Sequence, residues 1–292
     1  FRPFLSKVAC SELSPDRITL PFYECLKQTA NVRTLMGTVA AIDKEKKEVI
    51  LEQQEHIYYD YLILAPGLQP VAPVFSIPPQ YLLTFQDSLK LRATLLSAFE
   101  KAQHLKDPEA IKKLLTFVIV GGSQMAVEMA IILAQMPARS FFKKLQDRLP
   151  CQMRLFLVNS KERLLQHAAA SLSARVQNLL ERMQIRVING RRVTDITAQG
   201  VLLDDQQFIE ANQTLWFTRY QAPAFLQSLE TPQDKKGRLI VDQHLNLENH
   251  PEIFVAGDVA HITHNTSTLR PFISTACQQG RYVGKIIAKN LP

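Results

Sequence analysis

Cysteine is scarce and scattered in this chain. Its four cysteines, Cys10, Cys25, Cys151 and Cys277, form no C-x-x-C pair, which excludes the usual zinc spacing and a disulfide framework and points to a reducing, cytoplasmic setting. Also missing is an apolar run near the roughly 18 residues that cross a bilayer; the best stretch, 125–136, carries Glu128 in its middle. The opening residues do not read as a secretory signal peptide, and a start at Phe1 rather than Met is what is expected of a sequence that has lost its beginning. No repeat of solenoid length is present. The net charge of +7 and pI near 9.2 would suit an anionic partner, yet the basic residues of "KEKKE" and "DKKGR" sit beside acids. With no basic stripe interleaved with aromatics, nucleic acid is not an expected partner.

What is present is a 292-residue chain, 46% hydrophobic and 21% charged, the profile of a globular protein of two domains. A loop and short helix run to about Thr29, then "VRTLMGTVAAIDKEKKEVILEQ" reads as a hairpin turning at "KEKK". "YYDYLILAPGLQP" is a buried strand, Tyr61 to Ala65, ending in a Pro-Gly turn, and "DSLKLRATLLSAFEKAQHL" a helical bridge between domains. From Leu115 strand and helix alternate: "VIV", a helix, "MRLFLVN", a helix from Ser171 to Met183, and "IRVING". That rhythm predicts parallel strands with helices on their faces, an α/β fold. A hairpin region, "VTDITAQGVLLDDQQFIE", precedes the strand "EIFVAGD" and a last helix from Pro271 to Asn290.

Residues 119–136, "VIVGGSQMAVEMAIILAQ", form strand, tight turn and helix, but Ser123 stands where G-x-G-x-x-G has its second glycine and Ala126 where it has its third. Ala126 and Ala130 share a helix face and allow close packing on a sheet. The helix N-terminus at Gly121, Gly122 and Ser123 offers N–H groups to a phosphate; an ordinary strand-to-helix turn explains the stretch at least as well. The acid that would hold a ribose 2′-hydroxyl falls on Asn159, with Lys161 and Arg163 nearby to attract a 2′-phosphate, so NAD against NADP stays open. A polar strand end facing water is the alternative. Gly257-Asp258 puts a carboxylate at the end of a buried strand, where α/β folds bind ligands, although Asp also caps turns. Pro271 suits a helix start whose dipole could face a reduced flavin. Beyond it Cys277, Gln278 and Gln279 read either as site residues or as surface and small core filler.

Together these pieces resemble the flavoprotein pyridine nucleotide oxidoreductases with two dinucleotide domains, and most closely the type II NADH:quinone oxidoreductases. "FRPFLSKVACSELSPDRITLPF", "GTVAAIDKEKKEVIL", "YDYLILAPG" (Pro66 where Thr is usual), "VIVGGSQMAVEMA", "GRLIVDQHLNLENHPEIFVAGDVA" and "RPFISTACQQG" carry the likeness in the family's order. The resemblance implies two Rossmann-like domains: an FAD-binding domain over 1–111 and 246–292, incomplete and discontinuous, and an NAD(P)-binding domain over 112–245. It implies FAD as cofactor and NAD(P)H as substrate. Val39, Ala65, Pro66, Gly67, Gly257 and Asp258 would line FAD; Gly121, Gly122, Ser123, Ala126 and Asn159 would hold the nicotinamide nucleotide. Glu128, Gln278 and Gln279 would be catalytic, the glutamines at the flavin and quinone edge. A quinone acceptor, peripheral contact with the inner face of a membrane and a homodimer belong to the same expectation.

The family's first glycine motif is expected before Phe1 and its membrane-docking segment after Pro292. Ser123, Asn159 and Arg219, the last standing where a glycine is usual, depart from the pattern on the nicotinamide side. A non-catalytic member with a decayed nucleotide site is therefore the reading from a second class. A sulfide:quinone oxidoreductase-like enzyme is the third, suggested by Cys277 but wanting a second cysteine beside it.

Overall fold

The computed structural model describes residues 2–290 apart from 27, 28, 30, 72, 139–142, 145, 146, 148, 150, 151, 265, 266 and 270. Cys151 and much of the "ARSFFKKLQDRLP" stretch fall outside the described residues. The chain divides into two compact units, Phe1–Pro21 with Pro70–Arg219, and Phe22–Gln69 with Tyr220–Pro292.

The first unit is built on a parallel sheet in the order Gln213–Trp216, Thr116–Val120, Arg154–Asn159, Ile185–Asn189. Helices Gln124–Gln135 and Ala170–Arg182 connect its consecutive strands. All five residues of Thr116–Val120 are buried, as a strand covered on both faces must be. Alternation divides them: Phe117, Ile119, Leu155, Leu157 and Leu215 face a core that includes Ala126, Met129, Ala130 and Leu133. Val118, Val120, Phe156, Val158 and Trp216 face Ile196, Val201, Leu203 and Ile209. The second group belongs to an antiparallel sheet, Val193–Thr197, Gly200–Leu203 and Phe208–Glu210, which is the expected hairpin region.

The expected bridge is instead part of this core. Helix Phe85–His104 starts at a capping box in which Thr84 and Asp87 satisfy each other's backbone N–H. Its Leu91, Leu95, Ala98, Phe99 and Ala102 repeat at helical spacing and are buried. They pack with Leu5, Val8, Ala9 and Cys10 of the N-terminal segment. The two units thus divide the chain differently from the expected segments 1–111 with 246–292, and 112–245. Apolar stripes of 5–10 and 91–102 bury each other in the unit of the parallel sheet.

In the second unit Val39–Asp43, Glu48–Leu51 and His56–Tyr58 form an antiparallel meander. Asp43 Oδ1 accepts the N–H groups of Glu45 and Lys46 and so closes the "KEKK" turn. A second sheet orders Asn246–Leu247, His250–Val255 and Leu62–Leu64, the last two parallel. Ile42, Leu64, Leu226, Leu229, Phe254 and Val283 are among its core residues. The last helix is Ile273–Asn290, so Pro271 lies just ahead of it rather than in its first turn.

Candidate functional site

One candidate site belongs to the first unit, at the carboxyl end of Thr116–Val120. Gly121 takes φ +137, and a Cβ there would stand 2.7 Å from the Phe217 carbonyl oxygen, so no side chain fits. Gly121 N–H donates to Val158 O and Leu165 N–H to Gly122 O, both at 2.8 Å. These bonds lash the turn to the second strand and to the loop beyond it. A Cβ on Gly122 would meet the Asn159 carboxamide oxygen at 2.4 Å; this glycine is needed because Asn159 lies beneath it.

Ser123, the departure from the glycine pattern, is the N-cap of helix Gln124–Gln135. Its Oγ accepts the Ala126 N–H at 3.4 Å and donates to Phe217 O at 3.3 Å. The hydroxyl is folded back onto its own turn, satisfying one of the orphan donors of a helix start. Ala126 is fully buried, in keeping with the close-packing role expected of it. Glu128 is exposed, with Oε1 accepting from Gln124 Nε2 at 2.7 Å one turn earlier.

Asn159 is buried, 3% exposed, and does not face water. Its Nδ2 donates to Lys161 O and Asn189 Oδ1, each at 3.0 Å, while its Oδ1 accepts the Lys161 N–H at 3.3 Å. Asn189 Nδ2 in turn donates to Gln177 Oε1. This amide chain ties the ends of two adjacent strands together. Asn189 and Gln177 were not read from the sequence; the available signal was that "LFLVN" and "IRVIN" both end in Asn, and the register does pair Asn159 with Asn189. Arg163 is also committed, donating to the carbonyls of Ala168 and Gln166.

The other candidate site belongs to the second unit. Because Leu62–Leu64 runs parallel to Ile253–Val255, with Leu64 opposite Val255, the segments Ala65-Pro66-Gly67 and Ala256-Gly257-Asp258 leave the sheet side by side. Ala256 N–H donates to Leu64 O at 2.9 Å. Gly257 takes φ +81 and its N–H donates to Gln279 Oε1 at 2.7 Å, so the last helix holds the turn through a buried side chain. Gln278 and Gln279 therefore separate: Gln279 is buried and Gln278 exposed. A small depression is lined by Gly257, Asp258, Pro271, Thr275, Ala276 and Gln279. Val39 is half-buried and packs on the core of its unit. Cys10 is buried, whereas Cys25 and Cys277 are exposed, and none of the three is in a disulfide. Among the described residues no group of three or more His, Cys, Asp or Glu is placed to hold a metal ion, and no helix is long and apolar enough to cross a membrane.

The family description pyridine nucleotide-disulphide oxidoreductase matches residues 1–280. The chain belongs to that family. Type II NADH:quinone oxidoreductase Ndh of Mycobacterium tuberculosis is 29% identical over 276 residues, which cover 90% of this chain and 60% of the relative. Demethylphylloquinone reductase NdbB of Synechocystis is 29% identical over 308 residues, covering 100% of this chain and 69% of that protein. Among solved structures, NDH2 of Plasmodium falciparum in complex with NADH superimposes with a TM-score of 0.74 at 21% identity, over 90% of this chain and 57% of that one; the fold is shared. This chain spans about three-fifths of the length of the mycobacterial relative.

Proposed function

We propose that this family member is a flavin-dependent oxidoreductase passing electrons from a nicotinamide nucleotide through FAD to a quinone at a membrane surface. The observation that carries the reading is the parallel pairing of Leu62–Leu64 with Ile253–Val255, which brings the Ala65–Gly67 and Gly257–Asp258 turns together at the end of a sheet where ligands bind. The relatives named above, a NADH:quinone oxidoreductase and a demethylphylloquinone reductase, support it.

The chemistry supplied by bound FAD is acceptance of a hydride and release of its electrons. The chain contributes position. Among the described residues only Ala276 Cβ, at 3.9 Å, stands within 4 Å of a Cβ placed on Gly257, so the backbone of the turn stays approachable. Ala65, Pro66, Gly67, Gly257 and Asp258 line the FAD site, with Asp258 accepting from hydroxyls, Gln279 fixing the turn and Val39 on the adenine side. Gly121, Gly122 and Ser123 receive the nicotinamide nucleotide at the start of helix Gln124–Gln135. The inward turn of Ser123 Oγ supports that role, because the added side chain does not project over the glycine backbone. Ala126 lets the helix sit close to the sheet, Asn159 shapes the floor beneath the glycine turn, Glu128 faces the nicotinamide end, and the exposed Gln278 faces the acceptor.

The second reading, a member that keeps the fold without catalysis, draws on Asn159, whose amide hydrogens are both committed internally. One experiment separates the two. The purified chain, supplied with FAD, is titrated anaerobically with NADH and with NADPH while flavin absorbance is followed. Bleaching of the flavin bands is the expected outcome. Bound flavin that neither nucleotide reduces favours the non-catalytic reading.

A further inference from the structure

We infer that the nucleotide site of the first unit discriminates by charge and takes the 2′-phosphorylated dinucleotide, NADPH, in preference to NADH, through Lys161 and Arg192. The inference rests on the proposed nucleotide site at Gly121–Ser123 and goes further in naming the residues that choose the substrate.

Discrimination at the adenine ribose is decided at the end of the strand that follows the glycine turn: a carboxylate there accepts from a 2′-hydroxyl and repels a 2′-phosphate, while cations there attract the phosphate. In this chain the strand end is Asn159, uncharged, buried and hydrogen-bonded to Lys161 and Asn189. No carboxylate occupies that position. Two loops border it. Residues 160–165 are held to the glycine turn by Leu165 N–H on Gly122 O at 2.8 Å. Residues 190–192 are held to the first loop by Gly190 N–H on Lys161 O at 2.9 Å, and to the strand end by Arg191 N–H on Asn159 O at 3.2 Å. The two joined loops carry Lys161, Arg163, Arg191 and Arg192.

Their side chains are not equivalent. Arg163 is occupied by the carbonyls of Ala168 and Gln166, and Arg191 is paired with Asp205 at 2.8 Å. Lys161 and Arg192 are exposed and form no ion pair among the described residues. Of the acids nearby, Asp205 is spent on Arg191. Asp204 is tied to the second loop by its N–H on Arg192 O, and the Glu162 carboxylate lies against Gly190, 3.5 Å from where a Cβ would be. An added phosphate dianion beside Asn159 therefore meets two available cations, and charge-assisted bonds to phosphate are the strong class of hydrogen bond.

Adenosine 2′,5′-bisphosphate and adenosine 5′-monophosphate differ only in the 2′-phosphate and need no flavin, so their binding to the purified chain, followed by isothermal titration calorimetry, is the test. The bisphosphate is expected to bind about tenfold more tightly, with Lys161→Ala and Arg192→Ala each narrowing that ratio and Lys161→Glu reversing it. Equal affinities, or a ratio untouched by all three substitutions, would overturn the inference and leave the nucleotide site standing. Failure of both nucleotides to bind would remove the nucleotide site itself, and the inference with it.

Discussion

At the scale of single residues, the departures from the family pattern are accommodated in different ways. Ser123 becomes a helix cap, Asn159 becomes the middle of an amide chain, and Arg219 keeps the backbone of the residue it stands for. Arg219 is exposed, its φ is +56, and its carbonyl accepts the Val71 N–H at 2.7 Å. A left-handed conformation costs a non-glycine residue roughly 1 kcal/mol or more. Arg219→Gly should therefore raise the urea midpoint of unfolding, with a gain of about 0.5–1 kcal/mol after the added freedom of the unfolded glycine is counted. A loss of stability would mean that the arginine side chain contributes a contact of its own. The three residues differed from the pattern visibly in the sequence, but not their consequences. Nothing local in "LVNSKER" says that the asparagine faces inward, because its partner Asn189 comes from a strand 30 positions later.

At the scale of elements, the turn before Leu239–Ile240 is clamped to the strand that follows Gly257-Asp258. Asp234 accepts the backbone N–H groups of Lys236 and Arg238 and the Arg238 Nε at 2.8 Å, and Arg238 reaches His261 Nδ1 at 2.8 Å. Leu239–Ile240 pairs in parallel with Ala260–His261, so this cluster steadies the segment leading out of the second candidate site. Burial pushes the Asp234 carboxyl up, but the hydrogen bonds from Arg238 and Lys236 outweigh it and hold the group below its ordinary value. A carboxyl depressed in the folded state stabilises above its unfolded pKa, near 3.9, and loses that contribution as pH falls through the folded value. Asp234→Asn should lower the urea midpoint at neutral pH, and the gap between the two proteins should close below about pH 4. A gap independent of pH would show that the cluster acts through shape alone.

At the scale of the whole molecule, the chain crosses between its two units three times, and the N-terminal segment belongs to the unit of the parallel sheet. Leu5, Val8, Ala9 and Cys10 are buried there with Leu91, Leu95 and Phe99. Truncating buried side chains removes both their transfer energy and the packing around them. Leu5→Ala with Val8→Ala should destabilise the first unit by about 3–6 kcal/mol, read as lost hydrogen-exchange protection in strands Thr116–Val120 and Arg154–Asn159. Unchanged protection in those strands would detach the segment from this core.

Local periodicity was enough to place the alternating strands and helices from Leu115 onward, because burial on both faces demands apolar runs such as "TFVIV" and a helix needs its own repeat. The turns at Gly121 and Gly257 were likewise legible, since few residues other than glycine adopt those backbone angles. Only the tertiary structure decided that the 85–104 helix joins a core with residues 5–10, that Gln279 turns inward while Gln278 does not, and that Leu62–Leu64 lies beside Ile253–Val255. Each of these depends on pairing between segments distant in sequence, where the energy comes from surfaces buried together and no local pattern records the partner.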